Sequence, residues 1–252
     1  MRDVKWGGLD CIVTGGSDER GGGDGPIVVL LHGFGAPGDD LVPLAHELDV
    51  PREVRFVFPA APLALGRGMG EGRAWWMIDM ERIERDMAAG RVRELAQDPP
   101  VGLAEARAQV DAMLEELGAQ LGAGSPLVLG GFSQGAMLSC EVALRSDPER
   151  RPLAGLVLMS GTLLTPRQWT PLMPARKQVP LLISHGRQDQ LLPFAHAQLL
   201  RDAWRAAGAQ VEWIEFDGGH GIPAGVLDAA GRMIRKLAAG QASVRPAPAP
   251  SA

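Results

Sequence analysis

The sequence predicts an α/β fold: a mostly parallel central sheet with helices on both faces. Three observations carry the prediction. Short runs of β-branched residues and leucine, Ile27–Leu31 above all, lack polar alternation, which is the pattern of a strand covered on both sides. From residue 103 onward such runs alternate with stretches of helical length, the order from which right-handed crossovers build a parallel sheet. A length of 252 residues with 46% hydrophobic side chains is enough for one large core and does not demand a second.

In order, Val4–Thr14 alternates weakly and suits an edge hairpin, and Gly15–Gly25 is a polar, glycine-rich turn. Ile27–Leu31 is the first buried strand and runs into His32-Gly33-Phe34-Gly35, a turn at a carboxyl end, where open α/β sheets place their ligands. Asp39–Leu48 reads as a helix, Val54–Phe58 as a second buried strand and Pro59–Pro62 as its exit. Ala64–Pro100 is irregular, with four glycines between 66 and 72, then Arg73-Ala-Trp75-Trp76-Met-Ile-Asp79-Met, then a charged, helical Glu81–Ala96. Insertions of this length are more often functional than structureless, so residues 64–100 are expected to form a cap-like wall over a site.

Leu103–Leu121 is an amphipathic helix with Val110, Leu114, Leu117 and Leu121 on one face. After a strand from Leu127 and a helix over Ala136–Arg145, the pattern continues. It runs through strand Leu153–Met159, irregular Thr162–Lys177, strand Val179–Ser184, helix Phe194–Ala207, strand Val211–Phe216 and helix Ile222–Leu237. Residues 1–240 are taken as one domain, and the Ala- and Pro-rich residues 241–252 as a disordered tail.

The chemistry centres on Gly131-Phe132-Ser133-Gln134-Gly135, set between a buried strand and a helix. A serine hydroxyl is a poor nucleophile unless a sharp turn holds it where a base can reach it and backbone N–H groups can receive the developing negative charge. Such a turn packs strand and helix so closely that the residues two before and two after must be nearly without side chain, here Gly131 and Gly135. A Gly-x-Ser-x-Gly match in a chain with 33 glycines is weak alone; its strand–turn–helix setting gives it weight.

Asp189 follows the buried strand ending near Ser184, and His220 follows the last strand. Ser133, Asp189 and His220 therefore share one edge of the predicted sheet, as nucleophile, orienting acid and general base. A lone Asp in a loop is usually a turn residue and a lone His between glycines a solvated one, so the pattern rests on the three together. Asp217 is the competing acid, although it lies only three residues before the histidine. His32 and His185 are read as bonding loop backbone, and His46 and His196 as surface residues on helices. None of the five histidines has metal-ligand spacing, and no metal or cofactor is expected. One oxyanion donor is assigned to the backbone N–H of Gln134 and the other to that of Phe34. Trp75 and Trp76 offer flat apolar surface for an acyl or aromatic group or for packing the insertion, and one is expected in each role. Arg67 and Arg73 are minor candidates for an anionic substrate group, and Met137 is read as core.

The set Leu31-His-Gly-Phe-Gly35, Gly131-Phe-Ser-Gln-Gly135, His185-Gly-Arg-Gln-Asp189 with Pro193, and Gly219-His220 resembles the phospholipase/carboxylesterase group of α/β-hydrolases, which includes bacterial carboxylesterases and acyl-protein thioesterases. The resemblance spans about Ile27 to Leu237, and the chain order serine, acid, histidine fits it. It implies the α/β-hydrolase fold, Ser133, Asp189 and His220 as triad, Phe34 and Gln134 as oxyanion donors, and cofactor-free hydrolysis of carboxylic esters or thioesters. Members of the group commonly carry a tryptophan and an acidic residue before the long helix, which Trp75, Trp76 and Asp79 resemble; the charged insertion here is longer. The expected function is hydrolysis of small to medium acyl esters, with protein S-acyl groups or lysophospholipids as alternative substrates and a non-catalytic binding module as the reading from another class.

Bulk properties narrow the partners. A net charge of −5 and a pI near 5.6 provide no basic field for nucleic acid. Cys11 and Cys140 fall in no ligand or redox spacing and read as reduced, packed side chains. No window reaches membrane-spanning length and the N-terminus lacks a long apolar run, so the chain is expected to be cytoplasmic, with self-association as a homodimer left open.

Overall fold

One eight-stranded sheet runs through the computed structural model, which describes residues 1–66, 70–78 and 99–244. Its strands are β1 (Arg2–Trp6), β2 (Leu9–Gly15), β3 (Ile27–Leu31), β4 (Arg55–Pro59), β7 (Leu127–Phe132), β8 (Gly155–Met159), β9 (Leu181–Gly186) and β10 (Val211–Phe216). They lie in the order β1-β2-β4-β3-β7-β8-β9-β10; β5 (Leu63–Ala64) and β6 (Arg73–Ala74) form a separate antiparallel pair. The β1–β2 hairpin and the β2–β4 junction are antiparallel, and every pairing from β4 to β10 is parallel. The carboxyl ends of six consecutive parallel strands therefore open on one edge.

The all-apolar strands are explained by what covers them. Along β3, Val29 and Leu31 join one buried cluster and Val28 and Leu30 the other, because successive side chains leave opposite faces. The first cluster is closed by α2 (Leu103–Leu121), α3 (Gln134–Arg145) and α5 (Phe194–Ala206) through residues such as Val110, Leu138 and Leu200. The second is closed by α1 (Leu44–Glu47) and α6 (Ala224–Val244) through Leu44, Val226 and Ile234.

Some boundaries differ from expectation. The helix expected over Asp39–Leu48 is reduced to α1, preceded by three-residue turns such as Asp40 N–H to Pro37 O and Val42 N–H to Asp39 O. Pro43 accounts for this, since it lacks an N–H and disfavours helical geometry in the residue before it. The expected disordered tail begins too early, because α6 continues through residues 241–244. The stretch read as irregular before β9 contains α4 (Pro166–Trp169) and a 3₁₀ turn, Met173–Arg176. There the fully buried Trp169 donates its indole N–H to Glu141 at 2.6 Å, and Glu141 is paired with Arg145 at 3.0 Å. The expected helix Glu81–Ala96, together with Arg67, Asp79 and residues 245–252, lies outside the described residues.

At the amino end of β4, Arg55 is completely buried. Its guanidinium donates to Gly23 O (2.9 Å), to Gly25 O (3.1 and 2.5 Å), to Leu121 O (2.7 Å) and to Ser125 Oγ (2.6 Å). A planar fork of five donors suits a cage of carbonyls. It ties the glycine-rich turn to the end of α2, on the sheet edge opposite the candidate site.

Candidate active site

The nucleophile candidate sits where the tightest packing in the fold requires glycine. Ser133 has φ 56° and ψ −117°, a backbone conformation that side-chain-bearing residues seldom adopt. A Cβ on Gly135 would come within 1.9 Å of Leu31 O, and one on Gly131 within 2.5 Å of the same oxygen. Both glycines are thus dictated by β3, the neighbouring strand. Ser133 immediately precedes α3, and its N–H donates to Met159 O at 2.9 Å, which fixes the turn to the end of β8.

The candidate acid and the candidate base meet across two loops. His220 Nδ1 lies 2.7 Å from Asp189 Oδ2, which makes Nδ1 the protonated nitrogen and leaves Nε2 with its lone pair. Asp189 Oδ1 accepts the N–H groups of Leu191 and Leu192, each at 2.9 Å. Burial pushes the Asp189 carboxyl up, but hydrogen bonds from His185, His220 and Leu192 outweigh it and hold the group well below the usual carboxylate range. The His220 ring packs on Phe132, centroid to centroid 4.7 Å, which brings it to the residue beside Ser133. Asp217, the competing acid, is exposed and faces Arg187 at 3.4 Å.

Two of the remaining histidines serve the loops. His32 is buried, with Nδ1 donating to Gly33 O (2.8 Å) and Nε2 accepting the N–H of Ala61 (3.0 Å); burial lowers its pKa. His185, also fully buried, donates from Nε2 to Leu192 O at 2.7 Å and lies 3.2 Å from Asp189 Oδ2. Its contact with the acid was missed in the sequence, where the signal was a histidine four residues ahead of an aspartate at a strand end. His46 is exposed as expected, whereas His196 is buried and corrects its reading as a surface residue.

The turn after β3 lies against the elbow: a Cβ on Gly33 would be 3.3 Å from Ser133 Cβ. Phe34 is half-buried at that turn, and Gln134 opens α3, where the first N–H groups of a helix have no intrahelical acceptor. The Gln134 side chain has a function that the sequence did not reveal. Its Oε1 accepts the N–H of Trp75 (2.9 Å) and its Nε2 donates to Trp76 O (2.8 Å), so the residue after Ser133 clamps the backbone of the tryptophan pair.

That clamp bears on the tryptophans. Trp75 and Trp76 are 1% and 2% exposed and both belong to the core, and Trp75 Nε1 donates to His32 O at 2.9 Å. The expected division into one packing and one substrate-facing ring is corrected: both pack, because backbone clamp and indole bond draw the pair inward. Arg73 donates from Nε to Ala61 O, a bond within the fold. Met137 is core, as read. Among the described residues, no group of three or more His, Cys, Asp or Glu side chains is arranged to hold a metal ion.

A family model described as phospholipase/carboxylesterase matches residues 20–238. The chain belongs to that family. Among relatives of the phospholipase/carboxylesterase chain described here, acyl-protein thioesterase 1 of Yarrowia lipolytica is 27% identical over 208 residues, covering 76% of this chain and 82% of that protein. Acyl-protein thioesterase 1 of Emericella nidulans is 27% identical over 173 residues, 66% of this chain and 70% of that one. The crystal structure of esterase PE8 matches with a TM-score of 0.75 at 29% identity, covering 93% of this chain and 100% of that chain. Acyl-protein thioesterase 2 of Zea mays shares the fold, with a TM-score of 0.67 at 22% identity over 90% of this chain and 98% of its own. This phospholipase/carboxylesterase member has the α/β-hydrolase fold and is a serine hydrolase, which sets aside the non-catalytic binding module. No helix among its described residues is long and apolar enough to cross a membrane.

Proposed function

We propose that this chain hydrolyses small to medium carboxylic esters through an acyl-enzyme on Ser133, with His220 as general base and acid and Asp189 as its orienting carboxylate. The observation that carries the reading is the 2.7 Å contact of Asp189 Oδ2 with His220 Nδ1, set beside a serine held at φ 56°. His220 Nε2 takes the proton from Ser133 Oγ as the oxygen attacks the acyl carbon. The tetrahedral oxyanion is received by the N–H groups of Phe34 and Gln134. Collapse expels the alcohol, which leaves with the proton from Nε2. Water then repeats the sequence on the acyl-enzyme: His220 removes its proton, the carboxylic acid departs, and Ser133 Oγ is reprotonated. Asp189 stays ionised throughout and stabilises the imidazolium. In this reading residues 1–240 make a single domain, and Gln134 anchors the chain at Trp75 and Trp76 beside the site.

A second reading, an acyl-protein thioesterase, is favoured by the names of the relatives in Yarrowia lipolytica and Emericella nidulans. The same residues would act, with a thiol as leaving group. The deciding experiment is hydrolysis of p-nitrophenyl esters from acetate to palmitate, beside an S-palmitoyl peptide, with Ser133→Ala as control. A short-chain optimum abolished in the variant supports the carboxylesterase. Preference for the S-acyl peptide selects the thioesterase, and full activity in Ser133→Ala rejects the triad.

A further inference from the structure

The triad reading leaves one buried, strained residue unused. Ser160 follows β8, is completely buried and has φ 51°, a left-handed conformation that a glycine would adopt without strain. A glycine does stand next to it, yet Gly161 serves close packing: a Cβ there would fall 2.9 Å from Ala136 Cβ. What Ser160 has and glycine lacks is a hydroxyl, and that hydroxyl donates to Gly221 O at 3.2 Å.

The position of this bond matters. Met159 O accepts the N–H of Ser133, and Ser160 N–H donates to Ser184 O on the strand that leads to Asp189, each at 2.9 Å. With the hydroxyl on Gly221, two consecutive residues touch the elbow, the acid's strand and the base's loop. That loop, Asp217-Gly-Gly-His-Gly221, has glycine on both sides of His220 and wide backbone freedom. Before the histidine it is held by Gln188 N–H to Gly218 O at 2.9 Å and by the close approach of Gly186 to Gly218 and Gly219. After the histidine it is held by Ser160.

We infer that Ser160 is a positioning residue for His220, its hydroxyl fixing the carboxyl side of the base's loop against the end of β8. The inference rests on the triad reading above. A hydroxyl that merely satisfied a buried carbonyl would affect stability and leave turnover alone. Ser160→Gly separates the two roles, because it removes the hydroxyl and the left-handed strain together, whereas Ser160→Ala removes only the hydroxyl.

The test compares wild type, Ser160→Gly and Ser160→Ala. It reads kcat and KM on a short p-nitrophenyl ester, the rate of Ser133 labelling by a fluorophosphonate, the melting temperature, and the low-field proton resonance of the His220–Asp189 hydrogen bond. Displacement of a reacting group by about 1 Å costs about 10²-fold, so kcat and the labelling rate are expected to fall by about 10- to 100-fold in both variants. KM is expected to stay within about threefold of wild type, since ground-state binding is untouched. The low-field resonance is expected to broaden, and Ser160→Gly to melt no lower than Ser160→Ala. A Ser160→Gly protein with wild-type kcat and an unchanged resonance overturns the inference, as does failure of both variants to fold. A wild type that the fluorophosphonate does not label overturns the triad reading itself, and this inference with it.

Discussion

Asp189 Oδ2 receives the Nδ1–H of His220 at 2.7 Å while its Oδ1 accepts two backbone N–H groups of its own loop, from Leu191 and Leu192. The carboxylate is thereby held by its loop before it holds anything else. Asp189→Asn presents an amide that can still be positioned but favours the wrong imidazole tautomer, and turnover is expected to fall about 10⁴-fold. Asp217→Asn, altering an exposed partner of Arg187, should leave turnover near wild type. Steady-state kinetics of the two variants checks both.

The same carboxylate makes stability depend on pH. Its folded pKa lies below its unfolded value, so the unfolded state binds the proton more readily. The stabilisation is complete above the ordinary aspartate pKa of about 3.9 and is lost as pH falls through the lower, folded value. Urea denaturation of wild type and Asp189→Asn along an acid series should show their difference shrinking only below pH about 4.

Gly135→Ala should be among the most damaging single-methyl changes in the chain. Its Cβ would lie 1.9 Å from Leu31 O, a backbone atom of a central strand that cannot swing aside. Overpacking typically costs about 1–3 kcal/mol and this case belongs at the top of that range or above it. Gly225→Ala, where an added Cβ meets nothing, is the control. Chemical denaturation midpoints give the comparison.

Gln134→Leu keeps the backbone N–H assigned to the oxyanion but abandons Trp75 N–H and Trp76 O in a buried setting. Leaving such groups unpaired costs about 1–3 kcal/mol each. The variant should lose stability and tryptophan burial, visible as a fluorescence red shift.

Arg55→Met should destabilise without touching catalysis. It deserts the carbonyls of Gly23, Gly25 and Leu121, for an expected loss of about 3 kcal/mol or more, hydrogen bonds to a charged group being worth about 1.5–3 kcal/mol each. Turnover per folded molecule should be unchanged, because Arg55 sits at the amino end of β4.

Thiol reagents should leave the native enzyme fully active. Burial pushes the Cys11 thiol up to about 12 and that of Cys140 well above its ordinary range, so neither offers a thiolate. Alkylation counted by mass spectrometry should rise only on unfolding.

Residues whose neighbours in the chain determine their environment were legible from sequence. Ile27–Leu31 announced a doubly covered strand by lacking polar alternation, and Gly131 and Gly135 announced close packing by flanking a serine between strand and helix. The loops of Asp189 and His220 could be placed because each follows a strand of the parallel run. What stayed hidden depends on distant partners. Nothing local says that the Gln134 amide reaches 58 and 59 residues back to bury two tryptophans, or that Arg55, in a strand, finds four acceptors in two distant stretches of the chain. Ser160 was passed over because a serine after a strand is unremarkable until its φ and the carbonyl it faces are known.

The backbone of Ser133, at φ 56°, has a consequence for anyone breeding this chain for industrial use. Glycine at that position would relax the turn, and variants ranked by heat tolerance alone would be rewarded for discarding the proposed nucleophile. Ser160 invites the same loss at a second site. A selection that scores survival at temperature must therefore score product formation in the same round, or it will enrich well-folded proteins that do nothing.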